Sequence, residues 1–405
     1  MKIPMIARFS AYGFLKNLRF FEPFLYLYFL SKGFSFFQIG VLVSIREISV
    51  YIFEVPTGII ADMFGKKRSM ILCFCFYLVS FSVYGLSYSF QWIAGAMVLF
   101  AAGEAFRTGT HKAIIMDYLD REGISDRKAH VYGYTRSWSK IGSAVNDVCA
   151  ALIVFFMVKK DYNIVFLASI VPYVAGLILM FTYPADEKRG GHGSLFRQIG
   201  DHCRESWRSF KANTGLLLNS TVYDSVFSVN KDYIQPIIKN GVSTLPLLGI
   251  ASIVKRSALI IGAVYLFRDV FAAYFSRLAG PFRDRYGKKA KGENMVFAGA
   301  GAMYLAVASA VHAKALWAAV AAFLVIMALI NIRRPLLVAR IAEGVSTEQR
   351  ATILSVESML KIILSAVLAP IFGLAADMWG MEAVFAAGGG LLLLMYVPLL
   401  SLIHI

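Results

Sequence analysis

The chain has 405 residues, of which 58% are apolar, 14% aromatic and only 16% charged, with a mean hydropathy of +0.63. Water-soluble domains carry about 45–50% apolar and about 25% charged residues, which all but excludes a soluble enzyme and rules out disorder and collagen-like structure. The formal charge of +16 would fit nucleic acid if the basic residues gathered in one patch, but they fall mainly in short loops between long apolar runs, as in membrane proteins.

A helix needs about 20 mostly apolar residues to cross ~30 Å of hydrocarbon. Spans are predicted over 9–31, 36–61, 69–88, 91–118, 132–158 and 162–183, and again over 215–238, 256–279, 294–311, 315–341, 351–376 and 381–403. The pattern predicts an all-α integral membrane protein of twelve transmembrane helices, arranged as two pseudo-symmetric six-helix bundles, 1–183 and 215–405. The first run continues for about twenty residues from Ser10 without a small-residue cleavage site, so it reads as a retained helix and not a signal peptide. Cys73, Cys75, Cys149 and Cys203 make no disulfide framework and read as packing thiols.

Between the halves, the polar segment 184–214 is expected to be a cytosolic linker. Leu195, Phe196, Ile199, Cys203, Trp207 and Phe210 lie among Arg and Glu there, the pattern of an amphipathic helix on the membrane surface. The segments on the N-terminal side of the membrane hold 24 Lys and Arg, against 7 on the opposite side. Both termini are therefore expected in the cytosol of a plasma (cytoplasmic or inner) membrane.

Residues 58–68 read GIIADMFGKKR and residues 280–290 read GPFRDRYGKKA. Gly58, Asp62, Gly65, Lys66 and Lys67 match Gly280, Asp284, Gly287, Lys288 and Lys289 at a constant offset of 222 residues. The matches follow the second span of each half, which argues for two halves built alike. A weaker echo, Gly373, Asp377 and Gly380, follows span eleven on the other side of the membrane. Gly58 and Gly280 are expected to allow close helix approach and Gly65 and Gly287 to permit a turn, while the aspartates meet a helix N-terminus or the loop cations.

A glycine, an aspartate four later, a glycine three after that and then basic residues resembles the signature loop of the major facilitator superfamily. The resemblance covers the whole chain through span count, central loop and repeat position. The first copy has Met63 where an Arg is usual, and the second keeps that Arg as Arg285. The resemblance implies alternating access, with Gly58, Asp62, Gly65, Lys66, Gly280, Asp284, Arg285, Gly287 and Lys288 as a conformational latch. It also implies that spans one, four, seven and ten surround a central cavity, with five, eight and eleven contributing.

Ten basic residues lie inside predicted spans: Lys16, Arg19, Arg46, Arg107, Lys112, Arg136, Lys140, Lys231, Arg268 and Lys361. A charge at mid-span costs roughly 2.5–3.5 kcal/mol on insertion scales, so these groups must pair or face water. Glu104, Arg107, Thr108 and His111 follow helical spacing, as do Arg136, Lys140, Ser143 and Asp147, and both sets read as polar stripes. Asp224, Ser228, Lys231 and Gln235 share a face in span seven, with Asp232 at its edge. Lys16, Asn17 and Arg19 in span one, Asn331 in span ten, and Glu357 with Lys361 in span eleven complete the expected substrate cavity. Glu357 with Lys361, at i, i+4 spacing, and the neighbours Arg268 and Asp269 are also expected to neutralise each other.

Spans one, four and five look basic and span seven acidic, which suits a small polar, charged or zwitterionic solute. His111, Asp224, Asp232 and Glu104 are candidate proton carriers. No zinc cluster, P-loop or nucleophile elbow is present in the sequence, so no metal, cofactor or ATP hydrolysis is expected. The expectation is a monomeric, proton-coupled secondary transporter in a lipid bilayer. Exporters of hydrophobic drugs or metal chelates, and a lipid mover or non-transporting sensor on the same scaffold, are the alternatives. The stretch 136–148, RSWSKIGSAVNDV, lacks the glycine-and-proline motif that marks many drug antiporters of the family, and Pro56 is placed to bend span two.

Overall fold

The computed structural model describes residues 4–157, 161–184, 214–243, 252–286, 291–344 and 347–403. Among them the chain is helical and contains no β-strand. The helices are α1 Met5–Leu15, α2 Leu25–Ser31, α3 Phe36–Phe64, α4 Lys66–Leu86, α5 Phe90–Arg107, α6 Thr110–Arg121, α7 Lys128–Phe156 and α8 Asn163–Phe181. They continue with α9 Thr214–Asn230, α10 Ile234–Val242, α11 Ile253–Tyr286, α12 Lys291–His312, α13 Leu316–Gly344, α14 Thr347–Trp379 and α15 Met381–Ile403.

Eight of these, α3, α4, α7, α8, α11, α12, α13 and α14, are long and apolar enough to cross a membrane, and Met381–Tyr396 is a shorter apolar stretch. The stretches expected as continuous spans one, four and seven are each broken in two. In the first, α1 ends at Leu15 and a 3-10 turn, Glu22–Phe24, precedes α2. Asn17 Nδ2 donates to the Gly13 carbonyl (2.8 Å) and the Ser139 carbonyl (2.9 Å), taking up backbone groups at the break. In the second, Gly109 at φ +75° separates α5 from α6, a conformation that favours glycine. In the third, a 3-10 turn, Lys231–Tyr233, separates α9 from α10, and Pro236 falls in the first turn of α10, where its missing N–H is tolerated. Broken helices are stable at membrane depth only where their freed polar groups are buried in protein or face water.

The chain divides into two compact units, Met1–Lys32 with Ile45–Leu195, and Gly33–Ser44 with Phe196–Ile405. The core of the first is aromatic. Phe21 stacks on Phe166 at 4.6 Å, and Phe81 meets Tyr173 edge-on at 4.8 Å. Here α1 and α7 approach closely: a Cβ on Gly142 would lie 2.6 Å from the Phe14 carbonyl oxygen, and one on Gly13 would lie 2.7 Å from Ser139 Oγ. Small residues at helix crossings permit this packing in membranes.

In the second unit, Leu217, Leu337, Ile353 and Val356 form one apolar cluster and Ala279, Val296, Ile332 and Leu336 another. The start of α3 packs on α14, where Gly40 and Gly373 leave no room for a Cβ against the backbone of Ala369 and Phe36. Asp377 accepts hydrogen bonds from the backbone N–H groups of Phe36 (2.9 Å) and Phe37 (2.8 Å), capping α3. The weaker echo of the signature thus does in the structure what an aspartate facing a helix N-terminus is expected to do.

The first signature loop behaves differently. Gly65 at φ +97° makes the turn into α4, as its position predicts. No described atom lies within 4 Å of where a Cβ on Gly58 or Gly280 would stand. The loop cations also pass over Asp62, which is exposed. Lys66 binds Asp117 of α6 at 2.5 Å, and Lys67 donates to the carbonyls of Phe181 (3.0 Å) and Tyr183 at the end of α8. Asp284 and Arg285 are exposed at the end of α11. Gly287, Lys288 and the predicted amphipathic helix 195–210 lie outside the described residues.

Candidate functional site

The breaks in the first unit place charge at a cavity. A cavity of about 510 Å³ is lined by Phe9, Tyr12, Gly13, Lys16, Asn17, Arg107, Thr108, Gly109, His111, Lys112, Ile115, Tyr132, Thr135, Arg136, Ser139, Lys140 and Ser143. Its walls are α1, the α5–α6 break and α7. Six of the residues expected to line the substrate cavity meet there, Lys16, Asn17, Arg107, His111, Arg136 and Lys140, together with Lys112, Thr108 and Ser143.

Glu104 and Arg19 stand behind this wall. The Glu104 carboxylate binds Arg19, Arg107 (2.5 Å) and the Tyr77 hydroxyl (2.6 Å). Arg19 also donates to Tyr173 Oη at 2.6 Å, and that hydroxyl donates to the Lys16 carbonyl at 2.9 Å. One carboxylate thus serves two guanidiniums, and tyrosine hydroxyls fix the geometry. The stripe drawn from Glu104 through His111 is not one helix face, because the chain turns at Gly109; His111 belongs to α6. Its ring stacks on Tyr12 at 3.7 Å, and Nε2 lies 3.1 Å from the Tyr183 hydroxyl. Asp147 continues the Arg136 stripe but lies three turns beyond Arg136, buried beside Asn146 and outside the cavity lining.

The second unit holds a compact ion network. Asp224 binds Arg333 at 3.2 Å and Arg334 at 3.1 Å, and Glu357 binds Arg334 and the Ser220 hydroxyl. Arg333 is 1% exposed, donates to Asn219 Oδ1 at 2.7 Å and lies over the Tyr223 ring at 4.3 Å. The expected Glu357–Lys361 pair does not form; Arg334 reaches Glu357 from α13 instead, and Lys361 is set against Ser225 only through its carbonyl. At the α9–α10 break, Lys231 binds Asp232 at 2.9 Å, Tyr265 donates to Asp232 at 3.0 Å, and Gln235 donates to Tyr265 at 2.7 Å. Arg268 pairs with its chain neighbour Asp269 at 3.0 Å, as expected. Asn331 is not drawn into either cluster: its amide donates to the Met327 carbonyl of its own helix at 2.7 Å.

Sequence reasoning missed Tyr12, Tyr77, Tyr173, Asn219 and Ser220, and it left Arg333 and Arg334, nearer the cytosolic end of span ten, out of the expected cavity. The readable signal was that both arginines precede Pro335 inside a run that stays apolar to Val338. A proline within α13 does not end the helix, so the arginines stay in it.

Helices that cross a membrane, two units each holding a charged cluster at a helix break, and a repeated signature loop define a multi-pass membrane transporter. The sequence model of the Major Facilitator Superfamily matches residues 5–254, and the chain belongs to that superfamily. Over 90 residues, 22% of this chain and 23% of the relative, it is 33% identical to the uncharacterized MFS-type transporter YxaM of Bacillus subtilis (strain 168). Among solved structures, the nucleoside transporter NupG superposes with a TM-score of 0.80 at 12% identity, over 98% of this chain and 99% of that one. A D-xylose-proton symporter follows at 0.66 and 13%, over 96% of each chain. At such identities the likeness shows the fold alone.

Proposed function

We propose that the chain is a secondary active transporter that moves a small polar, charged or zwitterionic solute by alternating access, with protons as the coupling ion. The observation that carries this reading is the cavity of about 510 Å³ set among ionised side chains of apolar helices. Its volume falls in the range of small-molecule sites, about 300–1,000 Å³. Helices broken at membrane depth, with charged groups at the breaks, are how transporters build solute sites. The solutes in the names of two similar structures, nucleosides and D-xylose, are small polar molecules, and one of the two is named a proton symporter.

In this reading twelve spans form two bundles, 1–183 and 215–405, joined by the linker 184–214, in a monomer whose termini lie in the cytosol. The excess of 24 over 7 basic residues supports that orientation. Lys66 and Lys67, tied to Asp117 and to the end of α8, hold the first signature loop in place and are released as the helices move. Glu104 and Asp224 each bind two arginines and Asp232 binds Lys231, whereas His111 pairs with no described carboxylate, so this reading favours His111 among the candidate proton carriers.

Uptake of labelled nucleosides, sugars, amino acids and organic acids into proteoliposomes, with and without a pH gradient, tests the proposal. Flux of at least one polar solute that grows with the gradient is expected. Flux of lipophilic cations alone, or none by folded protein, would overturn it in favour of a drug exporter or a sensor.

A further inference from the structure

We propose that the cavity of the first unit is an anion site, built for a small organic molecule carrying two negative charges on oxygen: a phosphate monoester or a dicarboxylate. The proposal rests on the transporter reading and names its substrate class.

The charge count of the cavity carries the argument. Lys16, Arg107, Lys112, Arg136 and Lys140 line it, and no Asp or Glu does. The nearby acid, Glu104, is already shared between Arg19 and Arg107, so that trio retains a net positive charge. Lys16, Lys112, Arg136 and Lys140 form no ion pair with any described carboxylate. Lys16 and Lys112 lie instead near the rings of Tyr12 (5.7 Å) and Tyr132 (5.5 Å).

The second unit is the contrast. Asp224 and Glu357 are matched by Arg333 and Arg334, Asp232 by Lys231, and Asp269 by Arg268. Span seven looks acidic in sequence, but its carboxylates are already neutralised, so a zwitterion's ammonium would find no spare acid among these pairs. Of the predicted span cations that pair with no described carboxylate, all but Lys361 gather in this one cavity.

Cations crowded together at membrane depth repel one another and are costly without a counter-charge. A ligand that brings that charge relieves the repulsion, which gives affinity and sign selectivity together. Arg136 offers the planar fork that matches carboxylate or phosphate, and the lysines act as point charges. Ser139, Ser143 and Thr135 supply hydroxyls beside them, and the Tyr12–His111 stack supplies an aromatic wall for the organic body. The start of α6 at the same wall adds the positive end of a helix dipole.

The test is thermal unfolding of the full-length chain in detergent with glycerol 3-phosphate, succinate, glycerol or tetraphenylphosphonium, followed by uptake of the same probes into proteoliposomes. Glycerol 3-phosphate or succinate, whichever oxyanion the site takes, should raise Tm and be carried, while glycerol and tetraphenylphosphonium should do neither. R136Q and K140Q should each weaken oxyanion binding about tenfold or more, and K314Q, in the α12–α13 turn, should not. Folding of the two cavity variants is checked by their Tm without ligand. Stabilisation by glycerol or tetraphenylphosphonium alone, no response to either oxyanion, or an oxyanion response unchanged in both cavity variants would overturn the anion site. Flux of an uncharged or cationic solute without anion flux would likewise overturn it and leave the transporter reading standing. Oxyanion stabilisation without flux of any probe would overturn the transporter reading and leave the site.

Discussion

Replacing Glu104 with Gln keeps the shape of the side chain and the Tyr77 hydrogen bond but removes the one negative charge between two guanidiniums. Removing one member of a buried ion pair costs about 3–5 kcal/mol, because the partner charge is left uncompensated. The Arg19 and Arg107 side chains are 14% and 26% exposed, so water screens them in part and the lower end, about 3 kcal/mol, applies. A cooperative unit of 150–250 residues shifts its Tm by about 2–4 °C per kcal/mol, which gives a fall of roughly 6–12 °C. Arg19→Gln should cost less, about 1–2 kcal/mol, because Glu104 keeps Arg107 and Tyr77. In the double variant the two losses should fall short of their sum by about 1 kcal/mol or more, since each alone already breaks the shared contact. Detergent-solubilised protein followed by thermal unfolding reads all three. A Glu104→Gln variant within about 0.5 kcal/mol of the parent, or losses that simply add, would refute the trio as a coupled unit.

Asp224→Asn removes the acid shared by Arg333 and Arg334 and should destabilise the second unit by about 3 kcal/mol or more, read as a lower Tm; an unchanged Tm would mean that Asn219 alone satisfies Arg333. Asp377→Asn weakens the cap on Phe36 and Phe37 and should cost about 0.5–2 kcal/mol, with faster amide exchange at the start of α3 as the specific readout. Gly142→Ala places a Cβ against the Phe14 backbone, where neither helix can yield by turning a side chain, and should cost about 1–3 kcal/mol. Asp161→Asn removes the carboxylate that accepts from Tyr88 (2.7 Å) and lies 3.8 Å from Lys32, whose side chain is 1% exposed. The lost hydrogen bond and ion pair should cost about 0.5–1.5 kcal/mol, read as a lower Tm.

Much of the fold was legible because long apolar runs and their charged loops are set by the cost of placing backbone and charge in lipid. The ends of helices such as α3, α4, α8 and α12 fall within a few residues of the runs read from composition, and the turn at Gly65 followed from a glycine between a helix end and Lys66. The breaks were harder to read. Spans one, four and seven keep apolar residues on both sides of Lys16, Gly109 and Lys231, so a sliding window sees one helix where the backbone makes two. Helical spacing found which charges share a face, but not which partner reaches them from another helix. Glu357 has a lysine four residues away and binds Arg334 instead, because a cross-helix arginine delivers a guanidinium that also serves Asp224. The tyrosines of the Glu104 cluster were silent in the sequence, since a tyrosine among twenty, mostly in apolar runs, reads as packing until its hydroxyl has a partner.

The central claim is that the ionised groups of the first unit border a passage that water enters. In a variant lacking the native cysteines, Ser143→Cys on the cavity wall and Ile178→Cys on the exposed apolar face of α8 can be challenged with a membrane-impermeant, negatively charged methanethiosulfonate, applied from either side of the membrane. The account predicts modification at Ser143 and none at Ile178, with the negatively charged reagent reacting faster than its positively charged counterpart. Modification at Ile178 with Ser143 inert from both sides would contradict it.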